Sequence, residues 1–218
     1  LYYILVYSFL VPIIVYLVLL KRITDKRILV LVFYSIAIFT FLFFDPPLKQ
    51  SLKNAIYTII EFSFFALLIF QQLKNRNNKT LLLVLSVLFI AIQIIHFLTV
   101  KKTRLDSIPI AIETIFIFFF IFLYFQELLK NSNPILSKNY FLWIAIGILI
   151  YLGGSFFIYI LANNLEYKEL IQFWFITYIV ELIKNALFIV AMILFAKNRS
   201  DNKQSSSQNP LPNLDFTL

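Results

Sequence analysis

Seven apolar segments separated by short polar breaks run approximately Tyr2–Leu20, Ile28–Phe44, Ala55–Leu73, Leu81–Val100, Ile108–Leu129, Tyr140–Leu161 and Leu170–Ala196. Their lengths match the roughly 17–25 residues that a helix needs to cross a bilayer, the second being short and the seventh long. Each is predicted helical, because a lone segment in hydrocarbon has to satisfy its backbone internally. The breaks carry turn-forming residues: Asp45-Pro46-Pro47, the Asn-rich stretch Lys74–Lys79, Lys101–Asp106, Asn131–Asn133 followed by Pro134, and Asn163-Asn164. The expected fold class is an all-α, polytopic membrane bundle of seven helices over 1–196. Residues 197–218 are Ser, Asn, Gln and Pro rich, too poor in apolar residues to fold alone, and read as a disordered polar tail. The tail ends Phe216-Thr217-Leu218, a pattern that some peptide-binding domains capture, although for so short a pattern a solvated tail is the favoured reading.

Composition removes the competing classes. Apolar residues make up 61% of the chain and charged ones 14%, against about 45–50% and about 25% in soluble domains, which excludes a disordered chain, a disulfide scaffold and an ordinary cytosolic enzyme. The chain has no cysteine, hence no thiolate metal site, and its single histidine excludes an H-E-x-x-H zinc site. The chain begins at Leu1 rather than Met, which suggests a missing N-terminal segment. The first block ends at Lys21-Arg22 without a small-residue cleavage site, so it reads as a helix and not a signal peptide.

The formal charge of +8 sits at the ends of the apolar blocks, so a lipid bilayer with anionic headgroups is the expected partner, not nucleic acid. The first, third and fifth loops with the tail hold 12 Lys and Arg; the other side holds 6. The positive-inside rule then predicts the N-terminus outside, the C-terminus cytoplasmic, and a multi-pass protein of the inner (cytoplasmic) membrane, with Lys101, Lys102 and Arg104 arguing the other way.

Charges inside spans cost about 2.5–3.5 kcal/mol each at a helix centre, so each needs a reason. Glu61, Glu113, Glu181, Lys184 and His96 all fall within spans, with Gln93 and Asn185 beside them. At 1.5 Å per residue, Glu61 is expected about 9 Å deep, Glu113 at nearly the same depth, and Glu181 and Lys184 near the midplane. His96 and Gln93 fall within about two turns of the outer end of the fourth span. The polar groups thus gather in the outer half and the centre, leaving an aliphatic and aromatic inner half. Glu181 and Lys184, three residues apart, are expected to pair internally, bordered by Asn185. That leaves Glu61, Glu113 and His96, with either a carboxyl protonated or His96 charged. All seven are candidate ligand- or proton-binding residues; the competing role is interhelical packing.

Lesser marks follow. Gly147, Gly153 and Gly154, the only glycines, lie together on the sixth span and permit a close helix crossing or a bend. Pro12 is placed to kink the first span, and Pro109 falls in a first turn, where it is tolerated. Tyr2, Tyr3, Tyr140, Trp143, Tyr167 and Trp174 sit near span ends, as interfacial anchors do. Phe70-Gln71-Gln72-Leu73-Lys74-Asn75 is echoed by Phe125-Gln126-Glu127-Leu128-Leu129-Lys130-Asn131, which reads as two similarly placed helices and not as a duplication.

Ile56–Phe62 (I-Y-T-I-I-E-F), Leu123–Lys130 (L-Y-F-Q-E-L-L-K) and Phe141–Phe157 (F-L-W-I-A-I-G-I-L-I-Y-L-G-G-S-F-F) resemble a group of uncharacterised seven-helix integral membrane proteins of Bacteroidetes. In that group a glutamate early in the third helix, another in the fifth and a W-x-x-x-G-x-x-I-Y-like sixth helix recur, matching Glu61, Glu113 and Trp143 to Tyr151. The resemblance implies a sensory or signalling setting, with a histidine kinase as a possible partner, because such proteins are often encoded beside one. The Glu181–Lys184 pair is not part of the pattern.

Three functions compete. A sensor or signalling accessory would bind a small or lipidic ligand in the outer half and pass a helix shift to a cytoplasmic or membrane partner. A proton-coupled small-solute transporter would use Glu61, Glu113 or His96, but alternating access usually needs broken helices and polar lining toward both sides. An intramembrane lipid-modifying enzyme lacks a motif: Gly154-Ser155-Phe156 has no flanking glycine, and paired carboxylates are weak evidence. A retinal site at Lys184 lacks the acid four residues earlier, where Val180 stands. No catalytic residue, metal site or cofactor is assigned.

Overall fold

The computed structural model describes residues 2–20, 25–99, 107–130, 139–161 and 166–207, all helices and their flanks. In chain order the helices are α1 (Tyr2–Ser8), α2 (Leu10–Val18), α3 (Lys26–Phe44), α4 (Gln50–Gln72), α5 (Arg76–Thr99), α6 (Ser107–Lys130), α7 (Tyr140–Leu161) and α8 (Tyr167–Ser207). Among the described residues α3 to α8 are six helices long and apolar enough to cross a membrane, and α1–α2 form a shorter apolar pair. This is a helical bundle of the multi-pass membrane kind, its outward surface carrying apolar side chains such as Val87, Leu98, Ile115 and Phe157.

The first span is therefore two helices. Pro12 has no N–H to give the Ser8 carbonyl, and its ring crowds that carbonyl, so the helix interrupts at Phe9, whose N–H reaches back to Val6 O at 3.4 Å. Phe9 turns inward at 0% exposure. At its far end, α3 stops at Phe44 because Asp45, which adopts a left-handed conformation (φ 37°), precedes Pro46-Pro47.

Packing follows a closed course: α7 lies on α8 and α6, α6 on α4, α4 on α3, and α3 on α2, which returns to α8. Helix α5 lies outside this ring against α4 and α6. It buries one stripe, Leu82, Phe89 and Gln93, and turns its remaining aliphatic surface outward. Contact between α7 and α8 is the most intimate. Gly147 and Gly154 face α8, where a Cβ on Gly154 would stand 2.5 Å from Val180 Cγ1. One apolar core runs from Leu5 to Met192, and Phe62, Phe65, Phe89, Phe120 and Phe188 are almost fully buried within it.

The helix α8 continues beyond Ala196 to Ser207, so the first part of the polar segment extends the last helix. Adding a residue to an existing helix needs no new nucleus. Residues 208–218, the loop cations Lys101, Lys102 and Arg104, and the side chain of Tyr167 lie outside the described residues.

Candidate functional site: a buried ion cluster beneath a cavity

Helix α4 begins five residues before the sequence-based expectation, at Gln50, with Gln50 Nε2 donating to Asn54 Oδ1 at 2.9 Å in the first turns. Glu61 is therefore 11 residues into its helix, about 17 Å, and deeper than the 9 Å expected. That brings it level with Glu181, 14 residues or about 21 Å into α8. Glu113 stays shallow, six residues into α6.

These depths place Glu61 against Lys184, which the internal-pair expectation had not foreseen. Lys184, at 0% exposure, donates to Glu181 Oε1 at 2.5 Å and to the Tyr34 hydroxyl at 2.5 Å, and stands 3.7 Å from Glu61 Oε1. The Tyr34 hydroxyl, whose oxygen accepts from Lys184, donates to Glu61 Oε1 at 3.0 Å. Tyr151 donates to Glu61 Oε2 at 2.9 Å, so the Tyr57 hydroxyl, 3.5 Å from that of Tyr151, supplies the next proton. Two carboxylates thus share one ammonium, with tyrosine hydroxyls completing the bonds of Glu61. Aromatic rings enclose the ammonium: the centroid of Tyr151 lies 4.0 Å away, that of Tyr34 4.9 Å, and those of Phe9 and Phe65 5.5 Å. Helices α3, α4, α7 and α8 meet at this cluster. The break at Phe9 joins α1 to it as well, because Asn185 Nδ2 donates to Ser8 Oγ at 2.7 Å.

Above the cluster, at the end of the bundle holding the α3–α4 loop, lies a half-open cavity of about 380 Å³ whose lining includes Glu181 and Tyr151. Its rim carries the ion pair Asp45–Lys53, 2.5 Å apart, and its wall includes Tyr57, Tyr159 and Trp174, the last two edge to face at 5.7 Å. Trp174, expected as an interfacial anchor, thus also lines the cavity.

The other candidates are distributed unevenly. Gln93 and Glu113 are both 2% exposed, and Oε1 of each has no hydrogen-bond partner among the described residues. Phe89 stacks on Phe62 at 4.0 Å and lies 6.5 Å from Phe116. Gln93 follows Phe89 by four residues and Glu113 precedes Phe116 by three on an oppositely running helix, so both sit one turn nearer the α5–α6 loop than that contact. His96 is half-buried and contributes no bond to the cluster.

Tyr34, Tyr57, Phe9 and Phe65 escaped the sequence reading, and Tyr151 entered it only through the resemblance. A tyrosine in an apolar run carries no visible charge, and only its separation from the span ends hinted at a buried hydroxyl. At the opposite end, where the basic loops lie beyond an inner half expected to be aliphatic and aromatic, Arg27 Nη1 bonds Gln72 Oε1 at 3.1 Å and Tyr140 at 3.2 Å, while Tyr140 donates to Asp25 Oδ2 at 2.8 Å. Glu127 accepts the N–H groups of Lys74 at 2.6 Å and Asn75 at 3.2 Å and the Asn78 amide at 2.7 Å, closing the α4–α5 loop. The echoed Gln72 and Glu127 both serve that end. No group of three or more potential metal-ligating side chains occurs among the described residues.

No protein-family model matches the chain, nor does any curated protein or any solved structure.

Proposed function

We propose that this protein is an integral membrane sensor or signalling accessory that binds a small ligand in the cavity above the Glu61–Glu181–Lys184 cluster. One observation carries the proposal: a cavity of about 380 Å³, within the range of small-molecule sites, ends on a buried ion cluster that joins four helices. A ligand touching Glu181 acts on a carboxylate already shared with Lys184, and so alters the ties between α8, α3 and α4. Helix α8 supplies the output. It runs 41 residues, about 60 Å, from the cavity wall at Trp174 and Thr177 through Lys184 to Ser207, twice the thickness of the hydrocarbon core. In this proposal the cavity faces outward, the far end of α8 lies in the cytoplasm, and the membrane is the cytoplasmic membrane. The excess of Lys and Arg at the Arg27 end supports that orientation. A histidine kinase is the proposed receiver, by the resemblance to the Bacteroidetes group.

A transporter is the second reading, favoured by the interruption at Phe9, a discontinuous first span abutting the cluster through Ser8 and Asn185. Against it, the cluster's other side is closed by residues at 0% exposure, including Leu68, Ile69 and Ala191.

The chain has no cysteine, so single introduced cysteines report access cleanly. Thr177→Cys in the cavity wall should react with a membrane-impermeant maleimide on intact cells. Ala191→Cys, beyond the cluster, should stay unreactive even to a permeant reagent. Labelling of Thr177→Cys only after permeabilisation refutes an outward cavity, and no labelling at all refutes the cavity as a ligand site. Labelling of Ala191→Cys from the other side selects the transporter.

A further inference from the structure

The charges that reach the cavity wall are few: Asp45, Lys53 and Glu181 among 18 lining residues. Asp45 and Lys53 pair with each other at the rim, 2.5 Å apart, and cancel. Lys184 does not line the cavity; its ammonium is fully buried and committed to Glu181, Tyr34 and Glu61. An entering anion therefore meets no available cation. Glu181 gives Oε1 to Lys184, while its Oε2 accepts no hydrogen bond among the described residues. With both glutamates ionised, two carboxylates against one ammonium leave the floor one negative charge. Eight of the 18 lining residues are Phe, Tyr or Trp, including Tyr57, Tyr159 and Trp174, whose ring faces attract cations in a desolvated site.

We infer that the cavity takes an organic ammonium ion, its positive head on Glu181 and its alkyl groups against the aromatic wall. The inference rests on the cavity being a ligand site at all. Such a head is carried by a free amine or by a lipid headgroup, and the chemistry of recognition is the same for both.

Trp143→Phe leaves Trp174 as the sole tryptophan, a reporter in the cavity wall itself. In nanodiscs of phosphatidylglycerol alone, which has no ammonium headgroup, choline chloride at constant ionic strength should change Trp174 emission saturably. The neutral isostere 3,3-dimethylbutan-1-ol should bind at least tenfold more weakly, and Glu181→Gln should weaken choline at least tenfold. Tyr159→Leu, outside the ion cluster, should weaken choline severalfold while sparing the isostere, and it carries the test if Glu181→Gln does not fold. Equal binding of choline and its isostere overturns the ammonium assignment while leaving the cavity a ligand site. No response to either probe also overturns it, and the cavity then stands or falls on the maleimide labelling of Thr177→Cys. Repeating the titration in discs containing phosphatidylcholine assigns the source: a weakened choline response identifies the lipid headgroup, an unchanged one a free amine.

Discussion

Replacing Lys184 with Met keeps most of the buried stem and removes the ammonium. Glu181 and Glu61 then face each other without their shared partner, one having lost a contact of 2.5 Å and the other one of 3.7 Å. Removing one member of a buried ion pair costs about 3–5 kcal/mol, because the remaining charge stays buried. Loss of the cation above the Tyr151 ring, 4.0 Å away, accounts for about 1–2 kcal/mol of that range in a dry site. The Tyr34 and Tyr151 hydroxyls still hold Glu61, and the cavity lets water approach Glu181, so about 3 kcal/mol is expected. Replacing all three charges with neutral groups of similar shape (Glu61→Gln, Lys184→Met and Glu181→Gln) should recover at least half of the loss, since neutral replacement of a buried pair is often close to neutral. Reversible unfolding in mixed detergent micelles with increasing sodium dodecyl sulfate, followed by tryptophan fluorescence, measures both variants. A single variant within about 1 kcal/mol of the parent, or a triple variant no more stable than the single, refutes the shared-ammonium account.

The α7–α8 contact gives a graded series in the same assay: Gly154→Ala, with its Cβ 2.5 Å from Val180 Cγ1, should cost about 1–3 kcal/mol, Gly153→Ala, 3.5 Å from the tip of Phe118, much less, and Val180→Ala should relieve the first. Equal effects at the two glycines would remove the close-crossing explanation. At the other end, Glu127→Ala strips the acceptor from the Lys74 and Asn75 amides and should destabilise by about 1 kcal/mol, with faster hydrogen exchange at those amides; unchanged exchange would mean that Glu127 does not close that loop.

The apolar blocks alone determined a membrane bundle, because spans long enough to cross hydrocarbon must be helical and their ends are marked by charge and proline. They also determined which residues needed an explanation: an intramembrane Glu61, Glu181 or Lys184 is costly wherever it lies, and that cost is visible in one dimension. Pro12 was a legible kink for the same reason, its missing N–H being a local property. Partnership was not legible. The three-residue spacing allowed Glu181 and Lys184 to pair, but the approach of Glu61 depended on α4 starting at Gln50 and on the ring order of the helices, and neither is encoded in hydropathy. Tyr34 and Tyr151 look like any aromatic residues of a span until tertiary contact brings their hydroxyls to Glu61, and Trp174 looks like an anchor until Tyr159 and the rim make it a cavity wall. Composition and period record what each helix has to bury. Which buried groups meet is settled only when the helices pack, because a charge in a low-dielectric interior is held by whichever opposite charge the packing places within a few ångströms.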